Sequence, residues 1–170
     1  SRAAGWKGQA LLCAGGDVTI PREVFRSPTR ALTLACWVKT DTPDQSDKWF
    51  VNCIYGTGEA GFRLGLSGGR LTWAIPKTGW SHHLTANVAL PLGEWVHVAA
   101  TYDGQNLRLY QDGREVGVMA RTGRLHPADG PLCLGNYDSG HRAHFTGLLD
   151  EVKVYSRALS AEEVATQARR

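Results

Sequence analysis

A chain of 170 residues suffices for one domain with its own core, because a protein of this size buries roughly 70% of the surface its unfolded form exposes. Apolar residues make up 42% and charged residues 21%, while 20 Gly and 7 Pro are too few for a low-complexity or collagen-like polymer. The 19 Lys and Arg against 16 Asp and Glu leave +3, with both signs scattered along the chain, which argues against a nucleic-acid partner, since tracking phosphates needs clustered positive charge.

Strand signals dominate in chain order: residues 31–39 (ALTLACWVK), 62–66 (FRLGL), 70–75 (RLTWAI), 94–102 (EWVHVAATY), 106–110 (NLRLY), 131–135 (PLCLG) and 148–155 (LLDEVKVY). Each is short and rich in alternating, β-branched or aromatic residues. Turn residues separate them: Ser67-Gly68-Gly69, Asp103-Gly104, Asp112-Gly113, and Gly123 ahead of a long loop. In 94–102, Val96, Val98, Ala100 and Tyr102 share one face, and Trp95 on the other implies cover there too. Two packed antiparallel sheets in one domain spanning 1–170 are the expected architecture. Only the C-terminus reads as helix, where Ser160 and Glu163 make a capping box for one or two turns.

No run approaches the roughly 20 apolar residues of a membrane span, so no membrane insertion is expected. Residues 1–8 lack the basic-then-apolar layout of a signal peptide, the expectation for a chain that starts mid-protein or is already processed. Cys13, Cys36, Cys53 and Cys133 form no CxxC pair and sit in apolar runs, which leaves disulfides and buried free thiols both open. The pattern Gly65-Leu66-Ser67-Gly68-Gly69 matches GxSxG, but a strand follows where a nucleophile elbow needs a helix, so a hairpin turn is expected.

The run WVHVAATYDG (95–104), then LRLYQDG (107–113), PLCLG (131–135) and FTGLLDEVKVYSRALSAEEV (145–164) resembles the laminin G-like domains of the concanavalin A-like lectin/glucanase superfamily. QALLCAGGDVTIP (9–21) stands where the family has its opening strand and turn, with ALTLACWVKTD (31–41) and FRLGLSGGRLTWAI (62–75) following in register, so the resemblance covers nearly the whole chain. It implies an all-β jelly-roll sandwich of two antiparallel sheets. It also implies an accessory module of a secreted or surface protein, often binding carbohydrate and often carrying one structural calcium.

Asp150 shares alternate positions with Leu148, Val152 and Val154 and is therefore expected to face the core, where a carboxylate needs a partner. The resemblance places calcium near this Asp and an early Gly-Asp turn, matched by Gly15-Gly16-Asp17. Asp17 and Asp150 are the expected Ca2+ ligands, with Gly15 lending a carbonyl, as a hard cation prefers oxygen donors. Family openings often carry a second acidic residue where Val18 stands.

Carbohydrate contacts are expected from loop aromatics, because a pyranose stacks its apolar face on an indole or phenol while its hydroxyls seek polar neighbours. Trp80 in PKTGWSHH (76–83), flanked by His82 and His83, and the cluster NYDSGHRAH (136–144) with Tyr137, Asp138, His141, Arg142 and His144 are the candidates. Trp37, Trp73 and Trp95 lie within strand runs and read as packing residues; Trp49 and Tyr55 flank a polar loop and rank lower. The histidine pairs have weak metal-site spacing and read as solvated loop residues. No Glu is followed by Asp in the ExDxxE arrangement of the superfamily's glycosidases, and Asp112 with Glu115 bracket a turn. The expected function is therefore a non-catalytic, carbohydrate-binding module tethered to other domains of an extracellular or cell-envelope protein, possibly bacterial. The competing reading is a protein-interaction or spacer domain.

Overall fold

The computed structural model describes residues 2–43, 47–54, 60–76, 83–128, 130–137 and 144–169. Their elements are, in chain order, β1 (Arg2–Ala4), β2 (Gln9–Ala14), β3 (Val18–Ile20), β4 (Leu32–Lys39), β5 (Lys48–Asn52), β6 (Arg63–Ser67), β7 (Arg70–Ala74), β8 (His83–Ala89), β9 (Val96–Tyr102), β10 (Asn106–Gln111), β11 (Arg114–Ala120), β12 (Leu132–Leu134), β13 (Thr146–Tyr155) and α1 (Ala161–Gln167). A seven-stranded sheet runs β1-β2-β13-β4-β9-β10-β11 and a six-stranded sheet runs β3-β12-β5-β6-β7-β8, with antiparallel pairing throughout both. This is the expected all-β sandwich of two antiparallel layers with a short C-terminal helix.

Alternation decides what enters the core. Leu34, Cys36 and Val38 of β4, Leu64 and Leu66 of β6, Leu71 and Trp73 of β7, and Val96, Val98, Ala100 and Tyr102 of β9 all fall in one buried cluster between the sheets. Each large side chain buried there stabilises the fold by about 1.5–3 kcal/mol. A smaller cluster of Ala35, Ala99, Tyr110, Leu159 and Val164 lies on the far side of the seven-stranded sheet, where α1 covers it. Ser160 caps α1 through the Glu163 N–H, while the Glu163 carboxylate accepts the Ser160 N–H, as the capping box predicts. The GxSxG segment runs through the end of β6 and the Gly68-Gly69 turn into β7, the expected hairpin.

The strand runs read from sequence all appear, but β1, β5, β8 and β11 do not stand out in the sequence. β8 and β11 are edge strands with mostly exposed or half-exposed residues, so their apolar pattern is thin. In β5 a bulge breaks the alternation: Trp49 pairs with Gly65 and Val51 with Leu64, leaving Phe50 as the extra residue. Phe50 and Val51 both enter the core, whereas Trp49 and Asn52 share the outer face with Arg63 and Gly65.

The four cysteines are buried free thiols. Cys13 and Cys36 lie on β2 and β4, which β13 separates, so their Cα atoms stand about two strand spacings apart, beyond disulfide reach. Cys53 belongs to the central cluster, while Cys133 pairs with Thr19 and Asn52 on the outer face and its thiol contacts Thr19 Oγ1 at 3.7 Å. Burial pushes the Cys13 thiol up to about 11 and raises Cys36 and Cys53 further, so all three stay protonated and inert.

Candidate functional site

The outer face of the six-stranded sheet carries Cys133, Asn52, Arg63, Ala74 and His83 in one row, and Trp49, Gly65, Thr72 and Thr85 in the next. Their register follows from period-two alternation, with the β5 bulge as the single step that turns Trp49 outward. Gly65 makes this possible: a Cβ there would collide with the Lys48 carbonyl oxygen and lie 2.8 Å from the Trp49 ring. The surface is stepped. Over β5, β6 and β7, Trp49, Asn52, Arg63 and Thr72 are buried, whereas His83 and Thr85 on β8 are open to solvent.

Arg63 organises the row. Its guanidinium carbon lies 4.0 Å from the Trp49 ring centroid, a cation–π contact, and its Nη2 donates to His83 Nε2 at 3.0 Å. A guanidinium has no acceptor, so the imidazole accepts and carries its proton on Nδ1, facing away from Arg63. Burial pulls the Arg63 pKa down, partly offset by the Tyr137 phenol and the Asp47 carboxylate, which places both within electrostatic range of it. Asp47 holds a left-handed φ of 53° immediately before β5.

Residues 135–137 and 144–145 border this face. Gly135 N–H donates to Phe50 O at 2.9 Å, and Phe145 N–H donates to Gly135 O at 3.0 Å. His144 forms a parallel bridge with Trp49. The Asn52 amide donates to the Tyr137 carbonyl at 2.6 Å, and Asn136 Oδ1 accepts the Tyr137 N–H at 2.7 Å. The expected candidates His83, Tyr137 and His144 therefore converge on one face, around Trp49, Arg63 and Asn52. His144 Nδ1 is buried without a hydrogen-bond partner among the described residues. Trp80, His82, Asp138, His141 and Arg142, like Tyr55, lie outside the described residues.

Sequence reasoning ranked Trp49 low and passed over Arg63 and Asn52. An arginine between Phe62 and Leu64 is a signal in retrospect, because it puts a cation on the alternate face of a core strand. Trp37 and Trp73 are buried as expected; Trp37 stacks under Trp6 at 4.0 Å between centroids, and Trp95 is half-buried.

The expected calcium ligands are not brought together. Asp150 faces outward, because a register shift between Asp150 and Lys153, with Glu151 at φ 49°, reverses the alternation: Leu149, Val152 and Val154 pack on the core and Asp150 pairs with Trp37 outside it. Its Oδ2 accepts the Lys7 N–H and its Oδ1 the Glu151 N–H, each at 2.8 Å. Asp17 lies where the chain crosses from β2 in one sheet to β3 in the other, and its carboxylate accepts the Thr19 hydroxyl at 2.9 Å. Ala14 at the end of β2 is opposite Thr146, so Asp17 lies past that end, and residues 146–150 put about 13 Å of strand between Thr146 and Asp150. Gly15, exposed with φ 89°, belongs to the same crossover. Among the described residues no three His, Cys, Asp or Glu group around a possible metal. The residues present do not fit the calcium set that the resemblance implies.

The profile of the laminin G-type family described as the concanavalin A-like lectin/glucanases superfamily matches residues 13–165. The chain belongs to this superfamily. Among curated proteins it is similar to pappalysin-1 of Mus musculus, 27% identical over 170 residues, covering 88% of this chain and 10% of the relative. It is also similar to the pentraxin-related protein PTX3 of Bos taurus, 26% identical over 184 residues, covering 94% of this chain and 47% of the relative. The chain spans less than half the length of either. Among solved structures, domain 4 of AbnA, a GH43 extracellular arabinanase from Geobacillus stearothermophilus in complex with arabinotriose, superposes with a TM-score of 0.73 at 20% identity, covering 99% of this chain and 81% of that one. At that identity the likeness shows the jelly-roll fold alone. No helix among the described residues is long and apolar enough to cross a membrane.

Proposed function

We propose that this superfamily member is a non-catalytic carbohydrate-binding module of a larger extracellular or cell-envelope protein. The observation that carries this reading is the Arg63 guanidinium, stacked on Trp49 and bonded to His83, on a sheet face bordered by Tyr137 and Asn136. Trp49, Arg63 and Asn52 form the buried floor of this face, and beside it exposed His83 and half-buried Tyr137 offer the polar group and the aromatic ring suited to a sugar's hydroxyls and apolar face. Of the residues expected to contact sugar, His83, Tyr137 and His144 lie at this face, while Trp80, His82, Asp138, His141 and Arg142 lie outside the described residues. A glycan-bound relative of the same fold supports the reading.

The described outward positions also support a binding role over hydrolysis. Among the described residues Asp47 is the one carboxylate whose charge acts on Arg63, whereas glycoside cleavage by the usual route needs two across the scissile bond. Asp112 and Glu115 are occupied elsewhere: Asp112 Oδ1 accepts the His97 N–H and Glu115 pairs with Arg108 at 2.7 Å. Binding to a polysaccharide panel, repeated with Tyr137→Ala and Trp80→Ala, tests the proposal. Loss of binding at unchanged melting temperature supports it, and silence across the whole panel would transfer the reading to a spacer or protein-interaction domain.

A further inference from the structure

Resting on the carbohydrate-binding reading, we propose that Asn52 is the positioning residue of this face: sealed from solvent, it touches no ligand and instead holds Tyr137 where its phenol meets the sugar. Asn52 is 0% exposed at the end of β5, between Cys133 and Arg63 in the outward row. A primary amide offers two N–H bonds and one carbonyl oxygen. All three are engaged here: Oδ1 accepts the Ile54 N–H at 3.3 Å, and Nδ2 donates to the Ile54 carbonyl at 3.2 Å and to the Tyr137 carbonyl at 2.6 Å. Two carbonyl acceptors and one N–H donor admit only this orientation of the amide.

The bonds to Ile54 anchor the amide to its own strand, while the third crosses 85 positions to the chain that follows β12. That chain leaves β12 through Gly135, which turns with φ 81° and has no room for a Cβ, since one there would come within 2.7 Å of Cys13 Sγ. Two residues later the backbone of Tyr137 is gripped at both ends. Asn52 holds its carbonyl, and Asn136, 1% exposed, accepts its N–H on Oδ1 at 2.7 Å. Fixing both groups sets the direction of the Cα–Cβ bond and leaves the half-buried ring only its staggered rotamers, with the phenol in electrostatic range of Arg63. An apolar side chain at position 52 would avoid the cost of burying an amide, yet would give the Tyr137 carbonyl no donor. A ring held in place beforehand leaves less freedom for the ligand to remove, worth about threefold to tenfold in affinity for one aromatic side chain.

The test is a double-mutant cycle of Asn52→Ala and Tyr137→Ala, read by calorimetry on arabinan, galactan, xylan and mixed-linkage β-glucan, well below the melting point of each variant. Asn52→Ala should weaken binding of the glycan that the wild-type chain takes up best by about threefold to tenfold. Added to Tyr137→Ala it should weaken binding no further, because a residue that acts through Tyr137 then has nothing left to position. Amide NMR spectra of unliganded Asn52→Ala should shift at residues 135–137 as well as 52–54, whereas a purely local role would confine the changes to the latter. Asn136→Ala, which removes the side-chain acceptor of the Tyr137 N–H, should give the same pattern and carries the test if Asn52→Ala does not fold. Losses that simply add in the double variant, full affinity in Asn52→Ala, or wild-type binding by Tyr137→Ala would each overturn this inference and leave the carbohydrate-binding reading standing. Silence of the wild-type chain toward every glycan would overturn both.

Discussion

Asp150 Oδ2 accepts the backbone N–H of Lys7 at 2.8 Å, joining the two ends of a sequence separated by 143 positions. Gly5 lies so close that a Cβ there would approach this oxygen to 2.5 Å, and Trp6 stacks on Trp37, the strand partner of Asp150. The carboxylate thus fastens the β1–β2 turn onto the outer face of the seven-stranded sheet.

Asp150→Ala leaves the Lys7 and Glu151 N–H groups without their acceptor and should cost about 2–4 kcal/mol in urea unfolding. Because backbone donors already occupy both oxygens, the melting temperature of the wild-type chain should not change on adding excess chelator. A stabilisation that grows with calcium concentration would show that the metal is bound after all.

Gly65→Ala should destabilise the domain by about 1–3 kcal/mol and disturb the site with it, because the added methyl meets the Lys48 carbonyl and the Trp49 ring. A shifted tryptophan emission together with weakened glycan binding is the expected result. A stable variant with unaltered binding would show that Trp49 does not need this gap.

His97 predicts an acid limb in the stability profile. It is 2% exposed, packed edge-on against Trp37, and burial lowers its pKa from 6.5 to about 4; Lys153 pushes the same way and Asp112 opposes. The unfolded chain therefore binds the proton more readily than the folded one. The neutral imidazole's contribution is complete above pH 6.5 and is lost as pH falls from there to about 4, an effect on the order of 2–3 kcal/mol. Urea midpoints of wild type and His97→Gln across that range should converge at the acid end; parallel profiles would refute the assignment.

Arg121 is 3% exposed and satisfies its guanidinium with the Ile75 and Pro76 carbonyls and the Tyr102 hydroxyl, which itself donates to the Gly123 carbonyl. Arg121→Met should cost about 3 kcal/mol or more, since three acceptors lose a charged donor inside the protein. Tyr102→Phe, which removes only the hydroxyl, should cost less in the same urea titration.

The sequence was most legible where a strand is central and buried. Alternation in 94–102 assigned Val96, Val98, Ala100 and Tyr102 to the core without any knowledge of their partners, and the Ser160 cap fixed the start of α1 by a contact spanning three residues. Edge strands β8 and β11 escaped notice because only part of each is buried. His83, Tyr137 and His144 were legible as polar loop-border residues, but their meeting around Arg63 was not.

What the residues determined by themselves is the layered, all-β architecture, because period-two burial and turn chemistry are local properties. What only the tertiary structure decided is which way the exceptions face. An inserted residue at Phe50 turns Trp49 outward, and another at Glu151 turns Asp150 away from the core; a bulge reverses every later side chain, yet it exists only in relation to a paired strand.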